Sequence, residues 1–347
     1  MMESSRRSFG RLAAGALAAC LLTAAGTAEA KTSLLVYTAL EDEQLPVFKK
    51  AFEAANPDIE IKWVRDSTGT ITARLLAEKA NRQADAVWGL AASSLLVLEQ
   101  QGMLDPYAPA GLDKLKPAFK DNDNPPHWVG MDAWASAVCV NTAEAGEMKL
   151  PPVKTWSDLL KPEFKGNVVM PDPNSSGTGF LAVSGWLQMM GEEKGWAYME
   201  ALNQNIKTYL HSGSAPCVKA GQGEYPVGIS FAYRAVIEKN KGAPLDVILP
   251  ADGIGWDMEA TAIMKGTPNL DAARKLADFA ASEAANRLYN ESYSVVAWPG
   301  VAKPIKNYPE GEEQLMIKND FGWAAANRER ILAEWQKRFG SKSAKKN

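Results

Sequence analysis

The sequence predicts an α/β protein of two lobes joined by two crossing segments, with a ligand cleft between the lobes. Three observations predict it. Short apolar runs of strand type alternate with stretches of helical spacing, the rhythm of parallel βαβ units. That rhythm occurs in two blocks, separated by Pro-bearing loops such as 121–126 and 149–152. Behind an N-terminal leader, 317 of the 347 residues remain, enough for two separate cores.

The leader comes first. Arg6, Arg7 and Arg11 precede the small apolar stretch Leu12–Ala25, and Ala28-Glu29-Ala30 offers a cleavage pattern of small residues. Residues 1–30 are therefore expected to be a cleavable export signal, which places the mature chain in the periplasm. Ser5-Arg6-Arg7-Ser8-Phe9 has the form of a twin-arginine signal, and Leu17-Ala18-Ala19-Cys20 that of a lipoprotein box. The apolar Leu21-Leu22 after Cys20 argues against the lipoprotein, whose tether is polar. No later segment offers the roughly 20 apolar residues of a membrane span.

In the first block, 33–38 reads as a buried strand, 41–56 as a helix ended by Asn56-Pro57, and 59–64 as an alternating strand. Helix resumes over 70–79, and 84–88 is a third strand. In the second block, 167–170 and 225–231 read as strands, with helices over 179–190 and 233–240. Amphipathic stretches at 270–282 and 323–339 close the chain. The segments 128–141 and 250–256 are expected to cross between lobes. That assigns 31–135 plus 256–347 to the first lobe and 136–255 to the second. Ligands of open α/β sheets bind beyond the C-terminal strand ends, so two facing lobes share one cleft.

Composition excludes several function classes. The net charge is −3, and −4 without the leader's three Arg and two Glu, so the chain has no electrostatic footprint for nucleic acid. With Cys20 in the leader, Cys139 and Cys217 are left, a pair expected to form a disulfide in an oxidising compartment. There is no C-x-x-C, no G-x-S-x-G, and only His127 and His211, which leaves little for a zinc site or a histidine-based triad.

The residue order then becomes familiar. Leu35-Val36-Tyr37-Thr38-Ala39-Leu40, Phe52-Glu53-Ala54-Ala55-Asn56-Pro57, Thr155-Trp156-Ser157-Asp158-Leu159 and the run from Pro171 to Gly179 resemble the periplasmic solute-binding proteins of ABC importers, iron(III)-type cluster. Within it, the runs 63–69, 87–94 and 255–260 look like the 2-aminoethylphosphonate-binding proteins. The resemblance runs from Leu34 to Phe339. It implies a type II periplasmic-binding-protein fold, no catalysis, no cofactor, a monomer, an inner-membrane permease as partner and an aminophosphonate ligand. One departure bears on iron: where ferric binders carry adjacent tyrosines, this chain has Ala232-Tyr233, and Trp134 stands where relatives carry an anion-binding arginine.

An aminophosphonate needs an anion site and an ammonium site. For the anion, Ser175, Ser176, Gly177 and Thr178 lie between a strand and a helix, where backbone N–H groups and the helix dipole attract negative charge. Tyr37, Thr38 and Ala39 end the first strand as the matching mouth on the other lobe, with Ser67 and Ser93 in similar places. For the ammonium, Trp256, Asp257 and Glu259 put two carboxylates beside an aromatic ring, with Asp132 a further acid on the crossing segment. Trp134 and Tyr233 would complete an aromatic wall. A binding protein for iron(III), a polyamine or an organophosphate remains the alternative within the fold, and a periplasmic hydrolase the alternative outside it.

Overall fold

The computed structural model describes residues 30–345. The expected leader, with its paired arginines and Cys20, lies outside the described residues apart from Ala30. Strand β1 (Thr32–Thr38) buries Leu34, Val36, Tyr37 and Thr38, and helix α1 (Leu45–Ala55) starts with Pro46 in its first turn, where no N–H is needed. Strand β2 (Ile59–Arg65), helix α2 (Thr68–Ala77), strand β3 (Ala86–Ala91) and helix α3 (Ala92–Gln100) continue the βαβ pattern. β1 pairs parallel with β2 on one side and with β3 on the other. The short strand β4 (Leu104–Asp105) follows.

Strand β5 (Trp128–Asn141) is the long element that serves both sheets. Its first half pairs with β10 (Trp256–Met264), and its second half with β8 (Val227–Phe231) and β9 (Leu245–Ile248). Helix α4 (Thr142–Glu147) leaves β5, capped by the Asn141 side chain. The second sheet is completed by β6 (Val168–Pro171) and β7 (Ile206–Leu210), in the order β5-β8-β6-β7. Between them run helices α5 (Gly177–Met190), α6 (Glu192–Asn205), α7 (Ala215–Gly221) and α8 (Ala232–Asn240). After β10 come α9 (Leu270–Ala280), α10 (Glu283–Tyr289), β11 (Val295–Val296), α11 (Glu312–Leu315) and α12 (Phe321–Phe339). The first sheet runs β2-β1-β3-β10-β5, with β4 on β10 and β11 on β5. The result is a two-lobed α/β fold of the periplasmic-binding-protein type.

Each sheet has its own core. Trp88 packs with Phe48, Phe52 and Phe279 on one side of the first sheet, while Trp156, Trp186 and Tyr198 stack edge to face in the second lobe. Each such ring contributes on the order of 2–3 kcal/mol by leaving water. Cys139 on β5 and Cys217 on α7 are joined in a disulfide, their Cα atoms 5.6 Å apart, inside a small buried cluster with Ala220, Ala235 and Leu245.

The last helix departs from the expected division of the chain. Residues 256–347 were assigned to the first lobe, yet Ile331, Trp335 and Phe339 of α12 are buried in the second lobe's core, beside Trp156 and Trp196. The same helix also lies against α3 of the first lobe. Its buried positions Ala324, Arg328, Ile331, Trp335 and Phe339 recur at three and four residues, so the 3.6-residue stripe was legible but its address was not.

Candidate functional site

The C-terminal ends of β1, β2, β3, β6, β7 and β8 all point into one cleft between the lobes. Its empty volume is about 470 Å3, and its lining includes Ala39, Arg65, Ser67, Thr68, Trp134, Ser176, Gly177, Thr178, Ser212, Phe231, Glu259 and Tyr293. The lobes touch around it: the Gly69 N–H donates to Ser175 O at 2.9 Å, and Arg234 of α8 donates to Glu41 at 2.6 Å and to Glu43 at 2.8 Å. The Ser214 hydroxyl also donates to Glu41.

Two helix N-termini meet across the cleft, one from each lobe. Ser67 sits at the N-cap of α2 in extended conformation, yet its hydroxyl makes no cap hydrogen bond and stays available. Ser176 caps α5 by accepting from Gly179 N at 3.2 Å, which leaves its own O–H free to donate. The helices approach this closely because two glycines permit it. A Cβ on Gly177 would fall 2.6 Å from Thr68 Oγ1, and one on Gly69 2.8 Å from the Ser175 carbonyl carbon. Uncompensated N–H groups at two helix starts, with hydroxyls and the Arg65 guanidinium nearby, form a concavity rich in hydrogen-bond donors and positive partial charge.

The opposite end is acidic and buried. Glu259 lines the cleft from β10, and in register beside it on β5 stands Asp132. Asp132 is fully buried, and neither carboxyl oxygen has a hydrogen-bond partner. Glu259 accepts from Tyr293 Oη at 3.2 Å through Oε1, while Oε2 is buried without a partner. Burial pushes the Glu259 carboxyl up to about 8, opposed by the Tyr293 hydrogen bond and assisted by the nearby Glu41 charge. Burial, and after it the Glu259 charge, drives Asp132 up as well. An ionised carboxylate without donors is costly in an interior, and that cost pushes both carboxyls toward the neutral form.

Of the sequence-predicted site residues, the structure brings Ala39, Ser67, Trp134, Ser176, Gly177, Thr178 and Glu259 together on the cleft wall. The others do not line it, each for an identifiable reason. Tyr37 points to the far face of its strand, where its Oη donates to Glu78 at 2.9 Å under the Arg74 guanidinium. Thr38 is fully buried, its Oγ1 accepting from Leu40 N at 3.1 Å. Ser175 donates to the His211 carbonyl at 2.7 Å. Tyr233 packs behind the wall against Tyr293, ring centroids 5.1 Å apart, with burial raising its phenol to about 12. Trp256 donates to Ile317 O at 2.8 Å and packs edge-on against Phe321.

Ser93 and Asp257 satisfy one another. The Ser93 hydroxyl donates to Asp257 Oδ2 at 2.5 Å, and Met258 N donates to Oδ1 at 2.8 Å. Burial raises Asp257 to about 6 against these bonds and the field of Arg328. Sequence reasoning missed Glu41, Arg65, Ser212, Phe231 and Tyr293. Arg65 closes a strand at the same level as Thr38, a parallel-register signal that could have found it. Tyr293 reaches the cleft only through the tertiary packing of the turn after α10, and no local pattern marks it. Away from the cleft, His127 Nδ1 lies 3.3–3.6 Å from carboxylate oxygens of Glu99, Asp121 and Asp123, a cluster the spacing did not suggest.

Comparison with known proteins gives this geometry a family. Residues 91–322 match the bacterial extracellular solute-binding proteins. An uncharacterised protein of Haemophilus influenzae is 30% identical over 276 residues, covering 79% of this chain and 80% of that one. A probable ABC transporter periplasmic-binding protein, y4fP, of Sinorhizobium fredii is 26% identical over 76% of this chain and 73% of its own length. Among solved structures, the periplasmic binding protein AfuA from Actinobacillus pleuropneumoniae, with fructose-6-phosphate bound, superposes with a TM-score of 0.83 at 27% identity over 90% of this chain and 99% of that one. Two α/β lobes closing on a polar cleft, matched over two thirds of the sequence, establish that the chain belongs to the family of bacterial extracellular solute-binding proteins.

Proposed function

We propose that the chain is the periplasmic ligand-capturing component of an ABC importer for a small aminophosphonate, 2-aminoethylphosphonate. The observation that carries the reading is the polarity of one cleft. Anion donors from two helix N-termini stand at one end, and a carboxyl with an unpartnered oxygen at the other. The phosphonate is held by the first turns of α2 and α5, the hydroxyls of Ser67, Thr68, Ser176 and Thr178, and Arg65. The ammonium faces Glu259, with Trp134 and Phe231 as flanking apolar surface. Closure of the two lobes, 31–135 with the β10 region and 136–255 with α12, is the signal a permease in the inner membrane would read. Residues 1–30 serve as the export leader.

A second reading keeps the anion end and exchanges the ammonium for hydroxyls. A sugar phosphate would donate its hydroxyls to Glu259, and the fructose-6-phosphate bound to AfuA favours this reading. Iron suits the cleft poorly: a hard trivalent cation needs several anionic oxygens, whereas Glu41 is engaged by Arg65 and Arg234 and the Tyr233 phenol is held protonated.

The test is a thermal-shift screen of the mature protein against 2-aminoethylphosphonate, ethylphosphonate, fructose-6-phosphate, spermidine and ferric citrate. A ligand confined to the native state raises stability by RT ln(1 + [L]/Kd), about 2.7 kcal/mol at a hundredfold excess over Kd. The expected result is a shift with the aminophosphonate and a smaller one with ethylphosphonate. A shift confined to the sugar phosphate would replace the reading by the second one, and a shift confined to iron or spermidine would remove both.

A further inference from the structure

The acidic end of the cleft has a property that the anion end lacks. Glu259 and Asp132 face each other across the β10–β5 ladder, both inside the protein, with three carboxyl oxygens lacking any partner. We propose that Glu259 exchanges its proton for the cationic end of the ligand, so that capture of an amine-bearing anion releases one proton into solution while capture of an anion without an amine does not. The proposal rests on the aminophosphonate reading.

The exchange balances. The free cleft holds the Glu259 carboxyl as a neutral acid, and the arriving ammonium carries one positive charge. The bound cleft holds a carboxylate against that ammonium, and the displaced proton leaves to buffer. The local charge is zero before and after, apart from the phosphonate itself. Burying an ion pair is tolerable where burying the lone carboxylate was not, because the ammonium brings both a counter-charge and donors for the orphaned oxygen.

The surroundings offer no other way to ionise Glu259. From the turn after α10, Tyr293 donates to it but supplies no charge. Behind them, Tyr289 on α10 donates to Ala280 O, and Tyr233 on α8 packs at a tilt against Tyr293; burial raises both phenols. The neighbouring cations are engaged elsewhere: Arg234 on Glu41, Glu43 and Glu238, and Arg65 on Glu41 and Asp42. Glu41 adds repulsion. Farther out, Tyr308 donates to Glu312, whose carboxyl burial also raises, so no positive charge enters from that side. Asp257, two residues along the strand, is satisfied by Ser93 and by Met258 N.

The experiment is titration calorimetry of the mature protein at pH 7 in buffers of different ionisation enthalpy, with 2-aminoethylphosphonate and with ethylphosphonate. The slope of observed enthalpy against buffer enthalpy counts protons. The expected slope for the aminophosphonate in the wild type exceeds that in Glu259→Gln by about one released proton, a same-ligand difference from which titration of the phosphonate itself cancels, and ethylphosphonate shows no such difference. In Glu259→Gln the excess release vanishes and the preference for the amine-bearing ligand falls roughly tenfold or more. Binding of the aminophosphonate with equal slopes in the wild type and in Glu259→Gln overturns the exchange while leaving the ligand assignment in place. Absence of aminophosphonate binding in the thermal screen removes the assignment itself, and the two failures are therefore distinct.

Discussion

The two walls of the cleft are built from different materials. The first lobe contributes every charged group that lines it, Glu41, Arg65 and Glu259, whereas the second lobe contributes Ser176, Gly177, Thr178, Ser212, Gly213 and Phe231, all neutral. A wall of backbone amides and hydroxyls binds an anion without itself titrating, so its contribution is nearly independent of pH and of what lies beyond the anion. A wall of carboxyls and a guanidinium distinguishes ligands by charge and responds to protons. The division implies that affinity for the shared anionic group resides in the helix starts of both lobes and in Arg65, and that selectivity for the far end of the ligand resides in the buried carboxyl of Glu259.

The largest break in this arrangement comes from preventing the walls from meeting. Gly177→Val would place a branched side chain where even a Cβ falls 2.6 Å from Thr68 Oγ1. Overpacking of this kind costs about 1–3 kcal/mol, so affinity for every anionic ligand should fall roughly 10- to 100-fold together. Unchanged circular dichroism and a parallel loss for phosphonate and sugar phosphate in calorimetry would locate the defect in closure; unaltered affinity would mean that the helix starts need not meet. Next in size is Arg65→Ala, which removes the cation on the charged wall. A charge-assisted hydrogen bond is worth about 1.5–3 kcal/mol, so anion affinity should drop by roughly 10-fold or more and become less sensitive to salt. A salt dependence identical to that of the wild type would take Arg65 out of the anion's reach.

The same contrast predicts how stability follows pH. Glu259 has a folded value raised from 4.5 to about 8. Below the lower value the group is protonated in both states and costs nothing. As pH rises, the unfolded chain releases the proton while the folded chain keeps it, so stability falls, by at most about 1.4 kcal/mol per unit, until pH passes about 8. Glu259→Gln should therefore match the wild type near pH 4 and exceed its urea midpoint near pH 8. A constant difference between the two proteins across that range would show that the carboxyl is ionised in the ligand-free fold. Mutations on the neutral wall should leave the pH profile of the wild type unchanged.

How much of this was legible can be argued from three residues on one strand. Trp256, Asp257 and Glu259 were read together as the cation site because aromatic and acidic residues cluster there. The strand alternation of β10 puts Asp257 and Glu259 on one face, which sequence can state. It cannot state that the start of α3 brings Ser93 up to Asp257 and satisfies it, or that Glu259 meets only Tyr293 and an unpartnered Asp132. The fold was readable because βαβ periodicity is a local signal repeated many times. The arrival of Ser176, Gly177 and Thr178 at the cleft wall was readable because a strand–turn–helix junction rich in Ser and Gly is local too. Tyr37 and Thr38 miss the cleft for different reasons, although the mouth of the strand is located correctly: the pleat turns Tyr37 toward Glu78 on the opposite face, and Thr38 is buried with its Oγ1 accepting from Leu40 N. The address of α12, and the arrival of Tyr293 and Phe231 at the wall, depend on packing between segments distant in sequence, for which one chain carries no pattern.

The smallest expected effect is also the cleanest probe of the neutral wall. Ser176→Ala removes one hydroxyl that both accepts from Gly179 N and has a free O–H at the cleft. Two costs follow, and they separate. The lost N-cap weakens the start of α5 by about 1 kcal/mol in the absence of any ligand, which a thermal midpoint without ligand reads. The lost donor weakens the anion by about 0.5–1.5 kcal/mol, a few-fold in Kd. Because the hydroxyl meets only the anionic group, the loss should be equal for 2-aminoethylphosphonate and ethylphosphonate, with no change in proton release. Glu259→Gln should do the reverse, changing their ratio and leaving ethylphosphonate almost untouched. If Ser176→Ala altered the ratio instead, the division of labour between the walls would be wrong, because a neutral donor at the anion end would then be sensing the far end of the ligand.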